Sequence, residues 1–312
     1  MLNELWQYVF AVLVWPGILG AGALGFLYLW VARKLMARLQ GRKGPPFYQP
    51  FFDFVKLLGK DTVEPSGVNR RLFYALPFMS LASMALGLVI VPVPGNAVGS
   101  FPGDIVLLLY LLEVPVLCDV MAGYVSQSIY GQVSAMREAV MSLGYNLPFL
   151  AAVIAMAQKA GSFRLGDLQS APFGLVTGLA AIAFLLAVPA RLKSNPFSIP
   201  NAEQEIVAGA HIEYNSAPLA IFELSHALEI VLLFDVFFVL FVPRLGNSMA
   251  NASLYLAVSL GLIVLATLTA AMTARFTAVA SRQRRIRRPW RCLLRSPGCL
   301  PGWRRSGAPG GL

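Results

Sequence analysis

The sequence contains little charge, little histidine and little cysteine. Of its 312 residues 13% are charged, two are histidine and three are cysteine, whereas 57% are hydrophobic and the mean hydropathy is +0.66. A soluble domain has about 25% charged residues, so this composition excludes a soluble protein. Apolar runs of about 20 residues, enough for a helix to cross a bilayer, recur along the chain. We therefore predict an all-α, polytopic membrane helix bundle.

The three cysteines, Cys118, Cys292 and Cys299, exclude an iron–sulfur cluster held by this chain alone. Such a cluster takes four thiolate ligands, and no two of these cysteines have the spacing of a metal-binding pair. We expect no cofactor and no metal in this chain, so that any redox centre lies on a partner.

Seven stretches are predicted to cross the membrane, and one further stretch to lie at its surface. The predicted crossings are Trp6–Ala32, Leu72–Val93, Ile105–Val125, Ala139–Gln158, Phe173–Ala190, Leu219–Val242 and Leu254–Ala274. Between the first two, at about 47–60, aromatic and aliphatic residues recur at helical spacing: Phe51, Phe54, Val55 and Leu58. This pattern predicts an amphipathic helix in the membrane interface.

The basic residues indicate the orientation of the bundle. If the N-terminus lies outside, 22 of the 25 lysines and arginines fall on the inner side, as the positive-inside rule requires. The first loop and the acidic loop 191–218 are then cytoplasmic, and the bundle lies in the plasma membrane. Since this rule accounts for the net charge of +10, we expect no nucleic acid partner.

Residues 276–312 form an arginine-rich tail that follows a membrane bundle of residues 1–275. The tail has no acidic residue, no hydrophobic periodicity and several prolines and glycines, a composition typical of disordered or membrane-surface segments. We predict that the tail is disordered or bound at the membrane surface and forms no eighth crossing.

The stretch GAGALG at 20–25 matches a dinucleotide-binding pattern, but its context favours helix packing. The nucleotide motif follows a strand, whereas this stretch lies inside a charge-free predicted crossing. Gly17, Ala21 and Gly25 are four residues apart, the spacing of small residues that lets membrane helices approach closely. We therefore predict a packing face.

The loop NPFSIPNAEQEIVAGAHIEY, residues 195–214, concentrates ionisable groups between two apolar crossings: Glu203, Glu205, His211 and Glu213. Glu203 and Glu205 are two residues apart and point in different directions on a helix, so only one of them can face a cavity. The apolar residues 206–208 favour a partly buried, functional loop over a solvated one.

Seven ionisable residues fall within or beside the predicted crossings, where such groups are costly and usually functional: Glu113, Asp119, Glu138, Glu223, His226, Glu229 and Asp235. Glu223, His226 and Glu229 are three residues apart and share one face of the sixth crossing. A proton relay and a structural ion-pair seam both remain open for this ionisable stripe.

Glu138 and its neighbour Arg137 stand where the fourth crossing is predicted to begin. A nearby arginine favours the charged carboxylate, whereas burial favours the neutral acid, and such opposed effects suit a proton carrier. The alternative is an acid that caps the N-terminus of the helix.

Three stretches resemble the signature motifs of the complex I subunit 1 family: ARLQGRKGPPFYQPFFDFVKLLGKD, SAMREAVMSLGYNLPF and NPFSIPNAEQEIVAGAHIEYNS. They occur in this order between predicted crossings, and the resemblance covers about residues 5–275. The family comprises the proximal membrane subunits of respiratory NADH dehydrogenases and of group 4 membrane-bound hydrogenases.

The resemblance implies a subunit that docks a soluble electron-transfer arm and relays protonation from a redox cavity to the membrane arm. It places the acidic loop below that cavity through Glu203, Glu205 and Glu213, and the start of the buried relay at Arg137 and Glu138. The ionisable stripe, Glu223, His226 and Glu229, completes the predicted relay. The residues that match the arm-docking segment are Arg38, Gln49, Asp53 and Lys56.

The resemblance also implies partners and cofactors. The expected partners are soluble hydrogenase- or dehydrogenase-like and iron–sulfur subunits, antiporter-like membrane subunits and the lipid bilayer. Iron–sulfur clusters, and a nickel–iron centre or a quinone, would be supplied by or shared with these partners. Because AEQE in the acidic loop is more similar to the hydrogenase branch, a membrane-bound hydrogenase type is favoured over an NADH:quinone oxidoreductase type.

Two residues depart from the family pattern, and two other classes of function remain. Asn146 stands where many relatives have glutamate, and Ser198 where aspartate is common, which weakens a literal copy of the quinone-reducing relay.

An independent secondary ion transporter would predict inverted repeats with broken helices, which the sequence does not display. If the protein were a purely structural anchor, the presence of the ionisable stripe would be unexplained.

Overall fold

The computed structural model describes residues 10–65, 67–93, 101–169, 174–195, 197–201, 209–243 and 248–293, with side chains to residue 272. All regular structure in this part of the chain is helical. The helices are α1 (Ile18–Leu39), α2 (Gln49–Leu58), α3 (Arg70–Ile90), α4 (Asp104–Val125), α5 (Ile129–Ala160), α6 (Leu165–Leu168), α7 (Leu175–Arg191), a 3₁₀ turn (Gly209–His211), α8 (Ser216–Phe241) and α9 (Ser248–Leu293).

The helix lengths confirm a polytopic membrane bundle. Six stretches within the described residues are long and apolar enough to cross a bilayer: Phe10–Leu39, Arg70–Ile90, Asp104–Val125, Ile129–Ala160, Ser216–Phe241 and Met249–Met272. The remaining predicted crossing corresponds to α7, an apolar helix of 17 residues, which at 1.5 Å per residue is slightly short for a 30 Å core.

Helices α1 and α5 extend further than the hydropathy pattern indicates. α1 runs on to Leu39, seven residues past the predicted end, and α5 begins at Ile129, ten residues before the predicted start. The added turns are polar enough to escape an apolar-run criterion, yet they contain good helix formers. Glu138 therefore lies inside α5 and is 2% exposed, so the alternative in which it caps a helix N-terminus is wrong.

Helix α8 forms the centre of the bundle and packs against α1, α2, α3 and α7. Its residues from Ala227 to Val236 are all buried, around the full circumference of the helix. Because these residues are buried around the whole circumference, this part of α8 is enclosed by the rest of the bundle and not by lipid. The two acids in this stretch, Glu229 and Asp235, are consequently only 5% and 1% exposed.

The small-residue spacing of α1 serves helix packing, as the sequence predicts. A Cβ atom at Gly25 would lie 2.3 Å from the carbonyl oxygen of Ala227 in α8, so only glycine permits this approach of the two backbones. Ala21, one turn earlier, is 1% exposed. Gly17 instead lies against the backbone of Val12 in its own segment.

The predicted interfacial helix is present as α2, but its inward face differs from the predicted stripe. The rings of Phe51 and Phe54 each lie 5.4 Å from the ring of Phe26 in α1. Val55 and Leu58, predicted on the same stripe, are 61% and 48% exposed. The reason is that α2 packs against both α1 and α8, and Val55 and Leu58 lie on a side that these helices leave uncovered, as in a helix at a membrane interface.

The beginning of the arginine-rich tail continues a helix, whereas its predicted place at the membrane surface stays a prediction. The backbone of α9 continues to Leu293. Arginine, alanine and glutamine are good helix formers, and extending an existing helix avoids the cost of nucleation. Residues from Met272 onward form a separate unit, and residues 294–312 lie outside the described part of the chain.

Candidate functional site

The end of α7 brings two cations among the carboxylates of three other helices. Arg191, the last residue of α7, is 1% exposed. Lys193 follows in the connection to α8 and adopts a positive φ of 50°, a conformation that a side-chain-bearing residue holds only when its surroundings fix it. The two residues define two groups, which we call the arginine cluster and the lysine cluster.

The arginine cluster joins helices α4, α7 and α8. Nη1 of Arg191 lies 3.0 Å from Oε1 of Glu113, and Nε lies 3.5 Å from Oε1 of Glu229. The other amino group donates to the carbonyl oxygen of Leu112. The guanidinium also lies 5.2 Å from the ring centre of Phe149, close enough for a cation–π contribution.

Asn146 bridges Glu113 and Arg191 in the arginine cluster. Its Nδ2 donates to Oε2 of Glu113 at 2.8 Å, and its Oδ1 accepts from Nη1 of Arg191 at 3.2 Å. An amide can donate and accept at once, whereas an ionised glutamate can only accept. The departure from the family pattern at this position therefore has a structural role, because asparagine adds no further negative charge beside Glu113.

The lysine cluster joins α4, α5 and the loop before α8. Nζ of Lys193 lies 2.5 Å from Oδ2 of Asp119 and 3.4 Å from Oε1 of Glu138, and Oδ1 of Asp119 lies 3.2 Å from Nε2 of His211. Burial alone would lower the pKa of Lys193, but the charges of Asp119 and Glu138 raise this pKa well above its ordinary value. Lys193 is therefore a permanent cation at neutral pH.

A polar cavity of about 170 Å³ connects the two clusters. Its lining includes Asp119, Lys193 and His211 from the lysine cluster, and His226 and Glu229 from the stripe on α8. Nδ1 of His226 lies 3.5 Å from Oε2 of Glu229. A cavity of this size and polarity has room for several water molecules, which would complete a proton path between the clusters.

The charges of the site do not balance without protons. Four carboxyl groups, Glu113, Asp119, Glu138 and Glu229, face two permanent cations, Arg191 and Lys193. Uncompensated charge is expensive away from water. Protons on some of the acids, or on His211 and His226, would neutralise the excess, so this arrangement can store and release protons.

The sequence suggested Arg137 as the cation beside Glu138, but in the structure Arg137 points to the acidic loop. Nη1 of Arg137 donates to the carbonyl oxygen of Ile199 at 3.3 Å, and the ion pair of Glu138 is formed with Lys193. Adjacent residues of a helix point about 100° apart, so Arg137 reaches the acidic loop while Glu138 faces the bundle. Arg137 thus attaches the loop to α5.

The other predicted relay residues differ in their surroundings. His226 and Glu229 belong to the site, whereas Glu223 is exposed and lines the edge of the cavity. Glu213 is partly buried in the loop after the 3₁₀ turn. Glu203 and Glu205 lie outside the described residues.

The predicted arm-docking residues lie on α2 and at the end of α1. Nε2 of Gln49 donates to Oδ1 of Asp53 at 2.9 Å, and Oδ2 of Asp53 lies 3.7 Å from Arg33. Arg38, near the end of α1, and Lys56 are exposed. This surface can contact a partner, as docking requires.

Arg191, Lys193 and Asn146 were not among the candidate site residues of the sequence, and Glu113, Asp119 and His211 were noted as ionisable residues without a place in the predicted relay. The signal available was the segment PARLKSNP, which places two cations at the end of an apolar helix. Such residues usually remain at the membrane surface, and only the structure shows that these two turn inward. Glu113 and Asp119 were recognised as intramembrane acids, but no spacing rule links them to residues about 75 positions away.

Asp235 belongs to a separate polar group in the core. The hydroxyl of Tyr255 donates to Oδ1 of Asp235 at 2.6 Å, and the hydroxyl of Tyr28 donates to Oγ of Ser259 at 2.7 Å. These four residues are at most 5% exposed. Among the described residues no group of three histidine, cysteine or carboxylate side chains is arranged to hold a metal ion.

Comparison with known proteins gives one consistent family. The family model described as NADH dehydrogenase matches residues 12–291. A subunit of the NADH-quinone oxidoreductase of Rhodospirillum rubrum is 29% identical over 252 residues, which cover 76% of this chain and 74% of that protein. The corresponding protein of Dehalococcoides mccartyi is 29% identical over 215 residues, 66% of this chain and 61% of that protein.

One solved structure shares the fold over most of its length. A chain of the membrane-bound sulfane sulfur reductase, an archaeal respiratory membrane complex, superposes with a TM-score of 0.77 at 26% sequence identity. The superposition covers 85% of this chain and 90% of that chain.

Proposed function

Because this chain belongs to the NADH dehydrogenase family, the complex I subunit 1 family, we propose that it relays protons as the proximal membrane subunit of a redox-driven ion-pumping complex. In this function it docks a soluble electron-transfer arm through α2 and the neighbouring loops. The buried acids then carry protonation changes from the redox cavity toward the ion-translocating membrane subunits.

The observation that carries this proposal is the environment of Glu138. Both of its carboxylate oxygens are buried, and neither accepts a hydrogen bond from the described residues; its ionic partner, Lys193, is held more closely by Asp119. A structural carboxylate is normally fixed by several donors. A buried acid with few fixed donors, whose ionic partner Lys193 lines a polar cavity, is suited to exchange its proton.

The electron-transfer chemistry belongs to partner subunits. Iron–sulfur clusters, and a nickel–iron centre or a quinone, would be held by or shared with soluble subunits, and antiporter-like membrane subunits would carry out ion translocation. The hydrogenase-like loop sequence and the similarity to a sulfur-reducing respiratory complex support a membrane-bound hydrogenase-type or related complex. The names of the bacterial relatives support an NADH:quinone oxidoreductase-type complex as the second candidate.

Purification from the native membrane tests the proposed function. We expect this chain to copurify with iron–sulfur and hydrogenase-like subunits, identified by mass spectrometry. Copurification with NADH-binding subunits would instead support the second candidate. Isolation of the chain without redox subunits from gently solubilised membranes would contradict both and support an independent transporter.

The proposed orientation can be tested by cysteine labelling. In a chain with Cys292 and Cys299 replaced by serine, we introduce Asp61→Cys or Met249→Cys, both at exposed positions. The positive-inside rule predicts that a membrane-impermeant thiol reagent labels position 249 in intact cells and position 61 only after permeabilisation. The reverse pattern would overturn the orientation. The remaining Cys118 is buried and serves as the unlabelled background.

A further inference from the structure

Asp235 and the hydroxyl groups around it have no place in the proposed relay. Asp235 belongs to α8, Tyr28 to α1, and Tyr255 and Ser259 to α9, and each of the four is at most 5% exposed. We call these four residues the tyrosine chain. It joins three helices in the interior of the bundle.

The oxygen atoms of the tyrosine chain follow one another at hydrogen-bonding distances. Oδ1 of Asp235 lies 2.6 Å from the hydroxyl of Tyr255, and the hydroxyl of Tyr28 lies 2.7 Å from Oγ of Ser259. The two tyrosine hydroxyls also interact with each other, and Oγ of Ser259 donates to the carbonyl oxygen of Leu256 at 3.1 Å. The chain thus runs from a carboxyl group of α8 to the backbone of α9.

No cation compensates Asp235 within the described part of the chain, where Tyr255 is the partner of its carboxyl group. The nearest ionisable residue on α8 is Glu229, an acid that is paired with Arg191. The apolar spans of α1, α3, α7 and α9 contain no ionisable residue other than tyrosine: 18–32, 72–90, 175–190 and 248–272.

A proton on Asp235 removes the cost of a buried charge. A carboxylate away from water and without a counter-ion loses more solvation free energy than one hydrogen bond from a neutral hydroxyl returns. The protonated carboxyl group avoids this cost and gains an O–H donor. These energies favour the neutral acid at this position.

The same proton also completes the hydrogen bonds of the tyrosine chain, in which each hydroxyl has one hydrogen to donate. With the proton, Asp235 can donate to Tyr255. Tyr255 then donates to Tyr28, and Tyr28 to Ser259, so that each oxygen shares a hydrogen with the next one. Without the proton, Tyr255 has to donate to the carboxylate, and no hydrogen lies between the two tyrosine oxygens.

We propose that Asp235 is permanently protonated and that its proton closes a clamp between α8, α1 and α9. The clamp gives α9 a fixed position, because the backbone of α9 approaches the other helices at few points in the described part of the chain. Hydrogen bonds between membrane helices stabilise their association. Asp235 is therefore a positioning residue, and its role does not depend on whether the relay is correct.

Asp235 differs from Glu138 in its surroundings. The carboxylate oxygens of Glu138 accept no hydrogen bond from the described residues, and its ionic partner Lys193 lines the polar cavity, whose lining includes no member of the tyrosine chain. The two buried acids thus have opposite roles, since Glu138 is suited to exchange its proton and Asp235 to keep it.

Infrared difference spectroscopy of the complete solubilised complex tests the protonation of Asp235. Asp235→Asn removes the carboxyl group at nearly unchanged size, and Asp61→Asn removes an exposed carboxylate as the matched control. At neutral pH we expect the spectrum of the unmodified complex minus that of Asp235→Asn to contain the C=O stretching band of a protonated carboxyl group and no carboxylate bands. The control difference should contain carboxylate bands. Carboxylate bands in the Asp235 difference, from an ionised acid or from one that holds a metal cation, would overturn the proposal.

Thermal unfolding of the same complex tests the clamp. Tyr255→Phe removes one hydroxyl from the tyrosine chain and should lower the unfolding temperature by about 2–4 °C. Asp235→Asn, whose amide still donates and accepts, should unfold within about 1 °C of the unmodified complex. Tyr110→Phe, which removes the hydroxyl of a residue that is 71% exposed, is the matched control and should have no effect.

Two results of these variants would contradict the proposal. Equal unfolding temperatures of Tyr255→Phe and Tyr110→Phe would exclude the clamp. A lower ratio of ions transported to electrons transferred in Asp235→Asn would exclude a permanent proton, because it would place Asp235 in the relay.

Discussion

Replacement of Arg191 by methionine is expected to destabilise the protein by about 3–5 kcal/mol, the cost of leaving the buried carboxylate of Glu229 without its partner. Arg191 is 1% exposed and lies between Glu113 and Glu229. Methionine fills much of the volume but leaves two carboxylates facing each other. The measurement is the thermal unfolding of the solubilised complex, together with the amount of this chain in the membrane.

Two further variants make this expectation specific to the ion pairs. Arg71→Gln, which removes an exposed arginine at the start of α3, should leave the unfolding temperature unchanged. Adding Glu113→Gln and Glu229→Gln to Arg191→Met should restore much of the stability, because no unpaired buried charge is left. If Arg191→Met unfolds at the same temperature as Arg71→Gln, the arginine cluster does not stabilise the bundle.

Replacement of Glu138 by glutamine is expected to lower redox-coupled ion transport by about 100-fold, at the low end of what a positioned proton-transfer group contributes, while the complex still assembles. Glutamine keeps the size of the side chain but cannot change charge. Assembly should survive because Lys193 keeps Asp119 as its closer partner. The measurements are ion uptake per electron transferred in proteoliposomes and subunit content on native gels.

The matched control is Asp61→Asn, which removes an exposed carboxylate outside the site and should leave coupling unchanged. The ratio of ions to electrons separates a relay from an ion-pair seam. A relay predicts that the ratio falls in an intact complex, whereas a seam predicts that Glu138→Gln loses subunits or melts early. Normal coupling in a fully assembled Glu138→Gln complex would exclude Glu138 from the relay.

The ends of the helices show how far an apolar pattern alone predicts a fold. Because a bilayer requires about 20 apolar residues in a row, the pattern identified six crossings that the described residues confirm, and the seventh corresponds to the shorter apolar helix α7. It missed the first ten residues of α5, since Ile129–Glu138 is a polar helix that a hydropathy criterion does not recognise. This error changed the interpretation of Glu138 from a possible helix cap to a buried acid.

The ion-pair partner of Glu138 shows a second limit of prediction from the sequence. The sequence suggested Arg137, its direct neighbour, whereas the structure pairs Glu138 with Lys193, which is 55 positions away. Helix geometry explains the error, because neighbouring residues of a helix point in different directions. Similarly, the sequence predicted an amphipathic helix at α2, but which of its residues are covered depended on how α2 packs against α1 and α8.

By itself the sequence determined that this is a helical membrane protein, that α8 carries His226 and Glu229 on one face, and that the acidic loop follows the α7 crossing. These properties depend on composition and on local helical spacing, which can be counted along the chain. Only the tertiary structure decided which cations neutralise the buried acids, because Arg191 and Lys193 reach Glu113, Asp119 and Glu138 across more than 50 residues of chain. Long-range pairing of this kind depends on how helices pack and where a loop turns inward, and no local spacing encodes it.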